Sequence, residues 1–424
     1  MDDTAPLAWR DQVGLSDVLA AAERLRPVGV QTPLQLSDRL SETYGASVYL
    51  KREDLQAVRS YKIRGAYNFI AGLPPEQLRA GVVCASAGNH AQGVAWSCRH
   101  LGVRGVVFLP RRAPRQKVAR IRALAGDLVE LRFAGDSFDD ANAAAAAYAA
   151  KTGATVVPTF DHPMTMAGQG TVGLETIEQL GAAPDVFVVP IGGGGLISGI
   201  AITLEGMGAT TWIVGAQPAG APAMVRSLEV GHPVTIDITD DFVDGAVVRT
   251  PGQLTFAVVR ELVAEIEIVA EGRVCTEQLA LYQDDGIVAE PAGALAIAAL
   301  DALGPLIKGK TVVCVLSGGN NDVARYDEIL ERSLVYQGLK HYFVVAFPQT
   351  PGALRRFLDE CLGPSDDIVL FEYVKKNDRE FGPAVVGIEL AQREDLEGLV
   401  ARIEASGLDA ERLPPDSPIF RLLV

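Results

Sequence analysis

At 424 residues the chain exceeds the ~250–300 residues at which one hydrophobic core stops growing, so at least two domains are expected. With 48% hydrophobic and 21% charged residues, the composition excludes a disordered or fibrous chain. Thirty-eight basic against 53 acidic side chains leave a net charge of −15, which argues against nucleic acid and anionic membrane surfaces as partners.

The start, MDDTAPLAWRDQ, is acidic and has no apolar segment behind a basic one, so no secretory signal is read there. Cys84, Cys98, Cys275, Cys314 and Cys361 show no C-x-x-C spacing, and Cys84 and Cys314 lie in apolar runs. Reduced, buried thiols and a cytoplasmic protein are expected.

Lys62 stands between the strand-like VYLKRED and the helix-like IRGAYNFIAG, which puts a primary amine at a helix start. GVVCAS then predicts a buried strand, followed by SAGNHAQG (Ser86 to Gly93). There the small Ala87 and Gly88 leave main-chain N–H groups free at the start of another helix, an anion site that suits a substrate carboxylate. A plain strand-to-helix turn reads the same way. Ser86, Ala87, Gly88, Asn89 and His90 form this candidate loop, with Asn89 as an amide donor and the His90 ring as a packed, hydrogen-bonded side chain.

The alternation continues through VRGVVFLP, PRQKVARIRALAG and DLVELRF and predicts a mostly parallel sheet. The basic run RRAPRQKVARIR has no interleaved aromatics and reads as a solvated helix face. Ala141 to Ala150 reads as a packing helix.

Val186 to Leu204 carries no charge and is about as long as the ~20 residues a membrane span needs. Pro190 and the glycines that follow instead predict a strand, a turn and a helix. In PIGGGGLISG the glycines Gly192, Gly193, Gly194 and Gly195 let N–H groups converge on a phosphate. The run lacks G-x-x-x-x-G-K-[ST] and the acidic residue of a dinucleotide fold, which weakens ATP and NAD as ligands.

Further strands are predicted at DVFVVP, WIVGAQP, EIEIVA and TVVCVLS, the last ending on Ser317 in VCVLSGGNND. An amine, a phosphate cradle and a strand-end hydroxyl match the three handles of pyridoxal 5'-phosphate. A neutral hydroxyl at the pyridine nitrogen, in place of a carboxylate, weakens the electron sink and favours β-elimination over transamination.

From His341 the predicted order is strand HYFVVAF, turn PQTPG, helix ALRRFLDECL, strands DIVLFEYVKK and AVVGIELA, helix REDLEGLVARIEASG and strand RLLV. This βαββαβ order is the ferredoxin-like split unit. The boundaries are drawn as residues 1–333 for a catalytic domain, with a smaller subdomain of about 60–158 inserted, 334–340 for a linker, and 341–424 for the small domain. That domain reads as a ligand sensor, with a dimerisation appendage as the alternative, because PQTPGALRR sets Gly352 at a helix start where a small amino acid could dock.

KREDLQAVRSYKIRGA, SAGNHAQGVA, PIGGGGLISG, FVDGAVV, EPAGA (Glu290 to Ala294) and SGGN follow in an order that closely resembles the fold-type II pyridoxal-phosphate enzymes, and within them the biosynthetic threonine dehydratases (threonine ammonia-lyases). The resemblance runs over nearly the whole chain. It implies two parallel-sheet αβα subdomains, with Lys62 as the Schiff-base lysine and Tyr61 beside it. It also implies Asn89 on the cofactor oxygen, Gly192 to Leu196 round the phosphate, Ser317 at the pyridine nitrogen and Ser86 in the substrate pocket.

The implied activity is deamination of L-threonine, with L-serine as a second substrate, to 2-oxobutanoate and ammonia in the first committed step of isoleucine biosynthesis. The tail resembles a single regulatory ACT-like domain, entered by FPQTPGALRRF (Phe347 to Phe357), at which isoleucine inhibits and valine opposes it; a homotetramer is implied as well. Related enzymes that hold a cation place a carboxylate where this chain has Gln217, and no acid occurs from there to Met224, so no metal is expected. A catabolic serine/threonine dehydratase or a serine racemase shares the catalytic motifs. A catalytically silent amino-acid sensor is the reading outside enzymes.

Overall fold

Apolar runs bounded by glycine or proline become the strands of this protein. A computed structural model describes residues 9–28, 31–373, 380–414, 417 and 420, which divide into a unit ending at Asp322 and a second beginning at Val323. In chain order the first unit holds β1 (Leu34–Leu36), β2 (Ser47–Arg52), β3 (Val82–Ala85), β4 (Gly105–Leu109), β5 (Val129–Phe133), β6 (Thr155–Val156), β7 (Val186–Pro190), β8 (Trp212–Pro218), β9 (Glu265–Val269) and β10 (Thr311–Leu316).

These strands make a six-stranded sheet, β1-β2-β10-β7-β8-β9, and a four-stranded sheet, β5-β4-β3-β6. Only β1 runs antiparallel to its neighbour among the described residues, so the mostly parallel expectation holds. Strand β7 is buried throughout and β10 along all but its first residue, as expected of parallel strands covered on both faces. The uncharged stretch from Val186 forms β7, the glycine turn and helix Gly195–Gly206. Among the described residues no helix is long and apolar enough to cross a membrane. The alanine-rich segment forms helix Phe138–Thr152, and all five cysteines are free and buried.

A buried ionic cluster fastens the helix that begins at Lys62. Arg64, wholly buried, donates to both oxygens of Glu53 at 2.7 and 2.8 Å and to Glu175 at 2.6 and 2.8 Å. Lys51 adds a second cation, donating to Glu175 and to the Thr32 carbonyl, each at 2.7 Å. Burial alone would push the Glu53 carboxyl up, yet the Arg64 guanidinium outweighs it and holds Glu53 below the usual carboxylate range.

The second unit is the predicted split βαββαβ module. Strands β11 (Lys340–Pro348), β12 (Asp367–Tyr373), β13 (Phe381–Glu389) and β14 (Asp409–Arg412) form an antiparallel sheet in the order β12-β13-β11-β14. Helices Ala353–Cys361 and Asp395–Ala405 close its core through Phe357, Cys361, Leu399 and Ile403.

Two boundaries differ from expectation. The last described strand is Asp409–Arg412, a polar edge strand without an apolar run to announce it, while the expected RLLV lies outside the described residues. Leu334 to Gln337 of the expected linker completes helix Tyr326–Gln337, because no glycine or proline interrupts it before Gly338 at φ +72°.

Glu53→Ala should leave the Arg64 charge buried and short of its partner, at a cost of about 3–5 kcal/mol in denaturant unfolding. Arg10→Ala, at a solvated pair with Glu205 and Glu261, should leave the transition where it was.

Candidate active site

Three neighbouring parallel strands, β2, β10 and β7, end on the same side of the larger sheet. Their register pairs Leu316 with Arg52 and Cys314 with Val188, so Ser317 and the glycine turn leave the sheet close together. Strands lie ~4.8 Å apart, so the three ends span ~10 Å, the scale of a substituted pyridine with a phosphate arm. Ligands of open parallel sheets sit at these carboxyl ends.

After β2 the chain returns to β10. Ser60 bridges Gly318, the Tyr61 N–H donates to the Ser317 carbonyl at 3.1 Å, and the Gly319 N–H donates to the Arg59 carbonyl at 2.9 Å. Arg59, at φ +56°, is the one non-glycine with positive φ among the described residues, a strained geometry held from both sides by these bonds. Lys62 is thereby the first residue of helix Lys62–Ala71, its Nζ 5.0 Å from the centroid of the Tyr61 ring. Ser317 Oγ donates to the Ala292 carbonyl at 3.0 Å, and a hydroxyl can rotate to serve a ligand instead.

The tetraglycine turn is a cradle closed to side chains. A Cβ on Gly193 would stand 2.4 Å from the Phe160 ring and one on Gly195 2.9 Å from Phe160 Cβ, while Gly194 sits at φ +93°. Thr255 Oγ1 holds the Gly193 carbonyl at 2.7 Å, and the first bond of the following helix runs from the Ser198 N–H to the Gly194 carbonyl. The N–H groups of Gly195, Leu196 and Ile197 therefore have no acceptor within their helix, as a bound phosphate requires. Gly192 packs on Ala246, and Gly245 on Ala292, the residue that receives Ser317.

Beyond β3 the candidate loop lies in the same cleft. The Gly88 N–H donates to Ser86 Oγ at 3.1 Å, and a Cβ on Gly88 would meet nothing within 4 Å. Helix Asn89–Leu101 starts here, and its Gly93 lies so close to Lys62 that a Cβ would stand 3.1 Å from the Lys62 carbonyl. His90 is buried with Nε2 3.1 Å from the Val157 carbonyl. Burial, then the Lys62 charge, pulls its ring down to about 4, so His90 is neutral and offers the loop its main-chain N–H, in keeping with the packed reading of the ring.

Asn89 is more committed than the sequence suggested. Its Nδ2 donates to Glu290 Oε1 at 2.6 Å, and its Oδ1 accepts from Asn320 Nδ2 at 2.8 Å. Burial first, and Asp244 next, push the Glu290 carboxyl up to about 7, against the opposing pull of Asn89 and Lys117. Glu290 and Asn320 were visible only as letters within EPAGA and SGGN, and Phe160 and Thr255 carried no signal. The basic helix is also more than a solvated face, since Lys117 pairs with Asp244 and Arg120 donates to the Ala57 carbonyl at 3.2 Å.

Gln217 is buried, its Oε1 accepting from the Val225 N–H at 3.1 Å and its Nε2 without a partner. In the second unit a cavity of about 280 Å³ opens between the Phe347 to Leu354 turn, with Gly352 at φ +89°, and the rings of Phe371 and Tyr373.

A lysine, a glycine cradle and a hydroxyl at the ends of three adjacent parallel strands define a fold-type II pyridoxal-phosphate enzyme. Residues 25–318 match the model of the pyridoxal-phosphate dependent enzymes, and residues 331–423 match the C-terminal regulatory domain of threonine dehydratase. Over 411 residues the chain is 55% identical to the biosynthetic L-threonine dehydratase IlvA of Mycobacterium tuberculosis, covering 96% of each chain. It is 47% identical to that of Bacillus subtilis, covering 97% of this chain and 98% of the relative. Among solved structures, the processed form of threonine deaminase isoform 2 from Solanum lycopersicum matches with a TM-score of 0.72 at 38% identity, over 75% of this chain and 92% of that one. Maize serine racemase matches at 0.70 and 30%, over 77% and 99%. The chain belongs to the pyridoxal-phosphate dependent enzyme family and, within it, to the biosynthetic L-threonine dehydratases.

Gly193→Ala should force the Phe160 ring out of place and weaken uptake of pyridoxal phosphate at least about tenfold, ~1.4 kcal/mol, in a fluorescence titration of the apoenzyme. Uptake equal to that of the parent would show that the turn tolerates a side chain.

Proposed function

We propose that this chain deaminates L-threonine to 2-oxobutanoate and ammonia by β-elimination of water, in the first committed step of isoleucine biosynthesis. The observation that carries the reading is the convergence of Lys62, the Gly192–Gly195 turn and Ser317 at three adjacent strand ends. Pyridoxal phosphate, when bound, supplies an aldehyde carbon for an amino group and a ring that draws electron density from Cα.

In this reading the N–H groups from Gly192 to Leu196 grip the phosphate, Ser317 faces the ring nitrogen, Asn89 faces the ring oxygen and Tyr61 flanks the lysine. The loop Ser86, Ala87, Gly88, Asn89 and His90 binds the threonine carboxylate through its main-chain N–H groups and the Ser86 hydroxyl. The Lys62 amine would hold the cofactor aldehyde and, when free, would serve as the general base that takes the Cα proton. The β-hydroxyl would leave as water with the proton taken from Cα, and the enamine acid that results would be hydrolysed to the keto acid and ammonia. A neutral partner such as Ser317 at the ring nitrogen would weaken the cofactor's pull on electrons at Cα and so favour prompt loss of the β-hydroxyl over transamination.

The second unit supports feedback control. A small apolar cavity beside the Gly352 helix start suits a branched side chain below main-chain N–H groups that can take a carboxylate, and we assign isoleucine as inhibitor and valine as its opponent there. The same reading includes a cytoplasmic homotetramer. This regulatory unit favours threonine dehydration over the serine racemase alternative, since residues 331–423 match the C-terminal regulatory domain of threonine dehydratase.

Lys62→Ala should abolish keto-acid formation from threonine together with the visible absorbance of the lysine-bound cofactor, and turnover that persists would refute the assignment. Isothermal titration of the full chain with isoleucine should give saturable binding that Phe371→Ala removes. Binding unaltered by that change would move the effector elsewhere.

A further inference from the structure

Glu290 has no conventional reason to be where it is. It is the N-cap residue of helix Pro291–Ala298, yet its side chain makes no cap hydrogen bond. It is 5% exposed, and among the described residues no cation stands within ion-pair distance of it. Buried carboxyls without a cation are rare and costly unless hydrogen bonds satisfy them.

What Glu290 does touch is the Asn89 amide, and the orientation of that amide can be fixed from an unambiguous anchor. The Val58 carbonyl can only accept, so the Asn320 side chain must turn Nδ2 towards it, at 2.8 Å. The same Nδ2 lies 2.8 Å from Asn89, which must therefore present Oδ1 to it and Nδ2 to Glu290. The carboxyl lies directly on Gly318, where a Cβ would come within 2.2 Å of Oε1, and it also receives the Asn320 main-chain N–H. Gly318 follows Ser317, so the carboxyl, the amide and the hydroxyl surround one small volume.

We propose that Glu290 is a positioning residue of the cofactor site: with Asn320 it holds the Asn89 amide in a single orientation and leaves one Asn89 N–H for the ring oxygen of pyridoxal phosphate. An amide nitrogen has two hydrogens, of which Glu290 takes one. Without that acceptor the Asn89 side chain is free to rotate, and the donor to the ring oxygen is no longer prearranged. The inference rests on the cofactor placement given above. Charged groups that bear on the carboxyl are Asp244, which favours its protonated form, and Lys117, which opposes it. Held near 7, Glu290 gains its charge as the pH rises through neutrality, and its grip on the Asn89 N–H strengthens in the same direction.

The test uses the full-length holoenzyme. In the parent, the visible absorbance of bound pyridoxal phosphate should change with a midpoint near 7, and in Glu290→Gln that titration should vanish while cofactor affinity falls roughly tenfold. Should the glutamine variant fail to fold, Asn320→Ala, which leaves Glu290 in place, should shift the absorbance and weaken cofactor uptake by a similar factor. A Glu290→Gln enzyme that keeps the parent's midpoint and affinity overturns the proposal, as does an Asn320→Ala enzyme with an unaltered spectrum. A parent that takes up no pyridoxal phosphate would instead strike down the site reading beneath it.

Discussion

The guanidinium of Arg64 is the fixed point about which the site is arranged. It lies two positions after Lys62, about 200° round the same helix at ~100° per residue, so while the lysine faces the cleft the arginine faces the interior. Its N–H groups are taken up by Glu53, Glu175 and Thr171, which joins the end of β2, the lysine-bearing helix and helix Pro163–Leu180. A buried charge set costs several kcal/mol per ion to desolvate and is tolerable only when every polar atom is paired. Here the pairing is close to complete, and its consequence is geometric: few rearrangements of the helix start keep those bonds.

On that rigid base the cleft is built from groups of contrasting charge. One part of it carries the neutral hydroxyl of Ser317, and another the main-chain dipoles of the glycine turn, which hold no ionisable group. The buried carboxyl of Glu290 lies against Gly318, next to that hydroxyl, and bears on an amide.

Much of this was legible in the chain because its signals are local. Strand runs, the four glycines and the helix start at Lys62 are each written in fewer than about ten residues, and their order alone implied the parallel sheet and the split module. The Asn89–Glu290 bond was not legible, since it joins positions 201 apart and nothing in either motif names its partner. The strand Asp409–Arg412 was missed because an edge strand with few buried residues lacks the apolar alternation that announces one. The helix over Leu334–Gln337 was read as a connector because its polarity outweighed the absence of any breaker.

The strand order has a biosynthetic consequence. Between β2 and β7 of the larger sheet lies β10, which leaves the ribosome last of the six and must slot between neighbours made long before it. Until residues 311–316 emerge, β2 and β7 have exposed edges on their facing sides, and the strand that ends in Ser317 is missing from between them. Enclosing a vitamin is therefore among the final acts of folding for this unit, and a nascent chain stalled before that strand would hold the lysine and the glycine turn without the hydroxyl between them.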